Sequence, residues 1–174
     1  SSPAADTIPA MIALSGVAKI VGPNGEREVA VESFCSGPGQ NVLEKGEFVL
    51  SIHFPAPAPN SGGFFLRFIP RNEMDIAVAN AAAHVVLNGA KTHFESARLA
   101  VGAVAPTPLF IEEAGDLLSG KEISDDIIQE AADLAKGKAN PITDMRGTVE
   151  QRTHLAGVLS KRAINGAVQR AKES

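Results

Sequence analysis

Residue types that commonly carry chemistry are few in this sequence and lie far apart along it. Four histidines are present, His53, His84, His93 and His154. They fall on different predicted elements, and no pair has the spacing of a zinc-binding motif. The single cysteine, Cys35, has no histidine in an interpretable relation to it, so a buried, inert thiol is favoured over a nucleophile. The sequence therefore predicts neither a metal site nor a nucleophilic catalyst.

One cation is unusual in its setting. Arg67 interrupts the run 64–69, which is otherwise apolar on both faces of a predicted strand. A guanidinium at such a position can bind an anionic ligand through its fork of donors. Arginine also ends edge strands without any ligand, and the sequence alone leaves both interpretations open.

The composition excludes several classes of protein. The chain has 174 residues, of which 44% are apolar and 21% charged, as in a globular protein. Its net charge of -4 argues against a nucleic-acid partner, because phosphate-backbone binding needs a basic surface. The longest uncharged apolar stretch is broken by polar residues and is shorter than the ~20 residues of a membrane span. No membrane span is expected, and a lone cysteine without a basic-then-apolar leader indicates a cytoplasmic setting.

The first third of the chain has the pattern of a short helix followed by strands. Asp6 stands where it can cap that helix. Residues 17–21 and 27–31 flank turn residues and predict a hairpin. A third strand is expected at 47–54, where alternation at period two puts four large apolar residues on one face: Phe48, Leu50, Ile52 and Phe54.

A proline- and glycine-rich linker at 55–63 marks the expected domain boundary, because its prolines remove backbone donors. Beyond it, three strand-like runs predict an antiparallel meander: 64–70, 76–87 and 96–105. The alanines of 76–87 would equally suit a helix. Three capped helices are then predicted, over 107–120, over 125–137 and from Thr148 onward. The class is therefore α+β.

Four motifs in a consistent order carry a family resemblance. They are Ser-Pro-Ala-Ala-Asp-Thr at 2–7, the segment 65–77, Gly-Ala-Val-Ala-Pro-Thr-Pro at 102–108, and Pro-Ile-Thr-Asp-Met-Arg-Gly at 141–147 followed by His-Leu-Ala-Gly-Val-Leu at 154–159. Together they resemble the FAD-binding medium subunit of molybdenum hydroxylases. This is the family of carbon monoxide dehydrogenase flavoproteins, which is similar to the flavin portion of xanthine dehydrogenase.

The resemblance implies a fold in two parts. Residues 1–62 would be the C-terminal part of a two-part FAD-binding domain, and residues 63–174 a three-stranded antiparallel sheet packed on a three-helix bundle. Family members carry two glycine-rich stretches whose backbone amides bind the pyrophosphate of the flavin, and the resemblance implies that this sequence begins just after the second of them, so that both are missing here. The chain is therefore expected to be a C-terminal fragment, in which FAD belongs to the complete subunit and is held only poorly by this portion.

The resemblance also implies three cofactor-binding residues. Asp6 matches an FAD-contacting aspartate, and an acid there can accept hydrogen bonds from ribose or ribityl hydroxyls. Val49 matches a position that packs near the flavin. Arg67 matches a basic position that is often lysine in relatives, and the turn 68–75 matches a segment near the isoalloxazine. Asp75 is equally well explained as a turn residue that binds its own backbone.

The implied function is electron transfer in a heteromeric complex. FAD would receive electrons from the [2Fe-2S] clusters of a small subunit, after a large subunit carrying the molybdenum cofactor hydroxylates the substrate, and would pass them to an acceptor. No catalytic acid, base or nucleophile is expected from this chain. The alternative is an interaction module that docks oxidoreductase subunits and binds no flavin. The sequence identifies neither the substrate nor the acceptor.

Overall fold

The computed structural model describes residues 1–71 and 75–174 of the chain. Within these residues the fold is α+β, with three antiparallel sheets and four α-helices. The sequence-based fold class is thereby confirmed. Among the described residues, no helix has both the length and the apolar character of a membrane span.

The amino-terminal third holds one helix and the two smaller sheets. Helix α1 is followed by a three-stranded sheet in the order β2-β1-β5, and a short 3-10 helix and a two-stranded ribbon lie between β2 and β5. The bounds are α1 Thr7–Ala13, β1 Val17–Gly22, β2 Gly25–Ala30, the 3-10 helix Val31–Ser33, β3 Cys35–Gly37, β4 Gln40–Asn41 and β5 Phe48–His53. The predicted hairpin is confirmed as β1 and β2, which pair antiparallel around a turn.

A β-bulge in β5 changes which of its residues face inward. Val49 pairs with Ile20, and Ile52 pairs with Ala18. Residues paired across an antiparallel ladder lie on the same face, so Val49 and Ile52 share the side of the buried Ala18 and Ile20. The prediction that Phe48, Leu50, Ile52 and Phe54 share one face is therefore wrong, because one extra residue at the bulge shifts the alternation.

The second half of the chain forms a four-stranded antiparallel sheet in chain order. Its strands are β6 Ser61–Phe68, β7 Ala79–Leu87, β8 Phe94–Gly102 and β9 Leu109–Phe110. The segment 76–87 is thus largely strand, and its helical alternative is wrong. The expected three-stranded meander gains β9 as a fourth strand, because residues at 109–110 pair with β8 instead of beginning the helix predicted over 107–120.

Three helices cover one face of this sheet. They are α2 Glu112–Leu118, α3 Asp125–Lys138 and α4 Val149–Glu173. The Ser124 hydroxyl accepts from Ile127 N at 3.3 Å, and the Thr148 hydroxyl accepts from Gln151 N at 3.2 Å, which confirms both predicted caps. The long helix α4 packs along β6 and β7, with α3 beside it and α2 against β8.

The central strand β7 is buried on both faces, which explains its small residues. Ala79, Ala81 and Ala83 lie in the core beneath α4, whereas α1 contacts the opposite face of β7 and β8. Helix and sheet approach so closely that a Cβ on Gly62 would lie 2.3 Å from the carbonyl oxygen of Ala167. A strand covered on both sides carries no polar alternation, and therefore alanine propensity alone could not distinguish it from a helix.

Candidate functional site

The sheet face that carries α1 also carries a row with two polar side chains and a glycine. Arg67 on β6 pairs with Asn80 on β7, which pairs in turn with Gly102 on β8. Because directly paired residues share a face, these three positions form one row across the sheet. The amino-terminal segment that leads into α1 lies over this row, since Ala103 N, one residue beyond it, donates to Pro3 O at 2.7 Å.

Two of the three sequence-predicted cofactor residues meet at this row. Arg67 Nη1 donates to Asp6 Oδ2 in an ion pair between residues 61 positions apart in the chain. The Asn80 amide donates to the other oxygen, Asp6 Oδ1, at 3.4 Å. Both ionic side chains are 35% exposed, so the pair is accessible from solvent. An acceptor and a cation are therefore presented together at the surface of the sheet.

The carboxylate of Asp6 does not do what its place in the sequence suggests. Asp6 immediately precedes α1, but its side chain makes no capping hydrogen bond to that helix. The prediction of a capping role is therefore wrong. A hydrogen bond between charged groups is stronger than one to a backbone amide, and Arg67 offers such a bond.

Asn80 is a member of this cluster that sequence reasoning missed. Its side chain is fully buried, and its Oδ1 has no hydrogen-bond partner within the described part of the chain. A Cβ on Gly102 would lie 2.4 Å from that oxygen, so the absence of a side chain at 102 makes room for the amide. A polar residue among the alanines at the start of β7 was the available signal, because buried polar groups normally serve a partner.

Val49 lies elsewhere. It lines a small cavity of about 130 Å³ whose other walls come from α1, β1 and the segment around Cys35. Neither Asp6 nor Arg67 lines that cavity. The structure therefore brings Asp6 and Arg67 together and leaves Val49 in an apolar pocket on the other sheet, where its cofactor role stays a prediction.

An apolar groove runs beside the ion pair, between α1 and the β6 edge of the large sheet. It has a volume of about 340 Å³, with walls that include Ala10, Leu14, Gly63, Phe65 and Ala82. Phe65 and Ala82 are themselves a register pair, one row along from Arg67 and Asn80. This arrangement can bind a ligand that has an apolar ring and a polar, hydroxyl-bearing or anionic chain.

The turn 68–75 is described only in part, since Asn72, Glu73 and Met74 lie outside the described residues. Asp75 Oδ1 accepts from Ile76 N at 3.0 Å, and Asp75 Oδ2 accepts from Arg71 N at 3.2 Å. The Arg71 side chain also donates to Asp75 and, as the largest cause, lowers the pKa of that carboxyl below its ordinary value. These bonds give Asp75 the turn-organising role.

Comparison with known proteins identifies the family. Residues 64–167 match the CO dehydrogenase flavoprotein C-terminal domain, and residues 1–57 match the FAD binding domain in molybdopterin dehydrogenase. The first match alone covers more than half of the chain. The chain therefore belongs to the CO dehydrogenase flavoprotein family, which confirms the resemblance stated from its motifs.

Individual relatives agree with this assignment. The carbon monoxide dehydrogenase medium chain of Afipia carboxidovorans is 35% identical over 166 residues, which cover 95% of this chain and 57% of that protein. The xanthine dehydrogenase FAD-binding subunit of Escherichia coli is 30% identical over 154 residues, 88% of this chain and 52% of that subunit. The chain thus spans about half the length of the curated relatives it matches.

Solved structures show the same fold. Reconstituted CO dehydrogenase from Oligotropha carboxidovorans superposes with a TM-score of 0.91 at 32% identity, over 97% of this chain and 58% of that one. Quinoline 2-oxidoreductase from Pseudomonas putida superposes with a TM-score of 0.85 at 30% identity, over 98% of this chain and 58% of that one. The arrangement of sheets and helices is that of the family.

Proposed function

We propose that this chain forms part of an FAD-binding subunit of a molybdenum hydroxylase, in which electrons pass through FAD to an acceptor. The observation that carries the proposal is the Asp6–Arg67 pair, with Asn80 behind it. Two family motifs that are far apart in the sequence converge there on one ion pair that solvent can reach. An oxidoreductase subunit is also what the relatives' names describe.

The side chains at this row fit the chemical groups of FAD. Asp6 would accept hydrogen bonds from hydroxyls of the ribityl or ribose chain, and Arg67 would donate to an oxygen or a phosphate. The apolar groove beside them supports binding of a flat ring, and Val49 would pack against another part of the same cofactor. Bound FAD supplies the redox chemistry, whereas these residues bind and orient it and shape its electrostatic surroundings.

We also infer that the subunit assembles with two partner subunits, which hold the other redox centres. One cysteine cannot supply the four thiolates of a [2Fe-2S] cluster, so an iron–sulfur small subunit and a molybdenum large subunit would hold those centres. The name "medium chain" in the relatives supports such an assembly. We place the complex in the cytoplasm, because a lone cysteine suits a reducing compartment.

We further propose that the chain divides at the linker, with residues 1–62 belonging to the FAD-binding domain and residues 63–174 forming a separate folding unit. The exposed prolines of the linker support this division, and so does the main core, whose members all come from residues 64–171.

Isolation of the native protein tests the proposal. The protein should co-purify with an iron–sulfur and a molybdenum subunit, carry FAD seen by its absorbance, and reduce dyes only with a hydroxylatable substrate present. Asp6→Ala and Arg67→Ala should lower its FAD content, whereas Arg67→Lys should be mild because lysine keeps the charge. A stable complex without flavin would favour the docking module instead. A metal-free monomer active by itself would overturn the proposal.

A further inference from the structure

Arg152, in the first turn of α4, is a charged residue that is buried in the fold. Its side chain is 6% exposed. Nη1 donates to two backbone carbonyls, Val78 O at 2.8 Å and Ala103 O at 3.0 Å, and Nη2 donates to Asp144 Oδ1 at 2.7 Å. A buried guanidinium with acceptors from three different segments holds those segments together.

The two carbonyls belong to the segments that build the Asp6 cluster. Val78 lies two residues before Asn80, and Ala103 directly follows Gly102, the next position in the polar row. Ala103 also donates its own N–H to Pro3 O at 2.7 Å, three residues before Asp6. One guanidinium thus contacts the residue just before β7 and the residue just after β8, and the latter, Ala103, also holds the segment that carries Asp6.

The backbone at Ala103 adopts an uncommon conformation. Its φ of 63° lies in the left-handed region, which a residue with a Cβ adopts only when its surroundings fix it. Its N–H and its C=O are both bonded, one to Pro3 and the other to Arg152. Loss of the Arg152 bond would leave the second group unsatisfied and release the conformation that reaches Pro3.

Asp144 keeps the guanidinium in place from the other side. Its Oδ1 also accepts from Arg146 N at 2.8 Å and from Gly147 N at 3.2 Å, within a tight turn. These amide bonds, with that to Arg146 the largest, and the Arg152 bond lower the pKa of Asp144, so the carboxylate is charged opposite the buried cation. The turn 144–147, which is part of a family motif, therefore holds one side of the Arg152 guanidinium, and the other side contacts Val78 and Ala103.

We propose that Arg152 is a positioning residue for the candidate flavin site: it locks the amino-terminal segment against β7 and β8 and thereby holds Asp6 beside Arg67 and Asn80. The role in flavin binding rests on the proposed function above. The locking of the segment is a property of this chain and can be measured without any cofactor.

The first test follows one amide by hydrogen exchange. In Arg152→Lys and Arg152→Met, the Ala103 N–H should exchange at least tenfold faster, measured by NMR relative to the Ile111 N–H, which bonds Leu99 O at the far side of β8. Arg162→Met is the matched control, because Arg162 is an exposed arginine of the same helix. The Arg152→Lys variant keeps a positive charge at the buried position, so it still reports on the Ala103 amide if Arg152→Met unfolds the whole protein. Equal acceleration of both amides, or none in either, would overturn the proposal.

The second test links Arg152 to Asp6 in the native protein. Arg152→Lys should weaken FAD retention several-fold when Asp6 is present and add no further loss in the Asp6→Ala background. The same further loss in both backgrounds would show that Arg152 does not act through Asp6. If Asp6→Ala leaves FAD retention unchanged, the proposed flavin site is wrong, and the exchange of the Ala103 amide still decides whether Arg152 locks the segment.

Discussion

Replacing Gly166 by alanine should destabilise the protein because of one close contact between α4 and the large sheet. A Cβ at this position would lie 2.5 Å from Cγ and 2.6 Å from Cδ1 of Phe64 on β6. The Phe64 ring has little freedom to move aside, since it packs against the core and the Arg170 guanidinium lies over it, 4.7 Å from the ring centroid. The added methyl group must therefore displace either the ring or the helix.

A second glycine of the same helix supplies the matched control. A Cβ on Gly157 would meet its nearest neighbour, Lys136 Cβ, at 3.4 Å, which is ordinary van der Waals contact. Both substitutions gain about 1 kcal/mol from the better helix propensity of alanine. Only Gly166→Ala also overpacks the core, which costs roughly 1–3 kcal/mol. Gly157→Ala should therefore be more stable than Gly166→Ala by about 1–3 kcal/mol, because the propensity gain cancels.

Urea unfolding followed by circular dichroism at the helical band measures this difference. The comparison requires that both variants show the same dependence of the unfolding free energy on urea concentration. Phe64→Leu should recover part of the loss in the Gly166→Ala protein, because a smaller side chain leaves space for the methyl group. Equal stability of the two alanine variants would refute the close-packing argument. So would the absence of any coupling between positions 64 and 166.

Three further outcomes are expected. The pKa of Glu47 is lowered from an ordinary 4.5 to about 2, mainly by the hydrogen bond from Arg27. The ionised carboxylate therefore stabilises the fold above pH 4.5, and this stabilisation is lost as the pH falls toward 2. In Glu47→Gln, the free energy of unfolding, measured by urea titration at several pH values, should fall less steeply between pH 4.5 and pH 2. An unchanged dependence on pH would contradict this expectation. Ser124→Ala should lower the unfolding free energy by about 1 kcal/mol through loss of the α3 cap, whereas Ser124→Asp should not. Limited proteolysis should cut first in the exposed linker at 55–58 and leave a resistant 63–174 core, and early cuts within α3 would contradict the proposed boundary.

Elements encoded by local rules were predictable from the sequence. The caps at Ser124 and Thr148 satisfy amides three residues away, and the turn between β1 and β2 uses residues that adopt turn conformations readily. Each of these features depends on a few adjacent residues. The same reasoning could not locate β9, because two residues pair with β8 only when the rest of the sheet exists to receive them.

Alternation along β5 failed for a related reason. A period of two assumes an unbroken ladder, and the extra residue of the bulge reverses the faces on either side of it. Val49 and Ile52 consequently line one cavity although three positions separate them. No pattern within β5 itself marks the bulge, because it is defined by pairing with β1.

The candidate site shows why local rules and function diverge here. Asp6 stands at a helix start, where capping is the usual role, yet its carboxylate accepts hydrogen bonds from Arg67 and Asn80 instead. An exposed ion pair contributes little to stability, and a buried asparagine whose oxygen has no partner among residues 1–71 and 75–174 costs stability. The proposed ligand would account for such a cluster, because its ion pair is charged and accessible and an apolar groove lies beside it. Arg67 was open to two interpretations in the sequence, and its convergence with Asp6, a residue of another family motif, supports the proposed ligand-binding role.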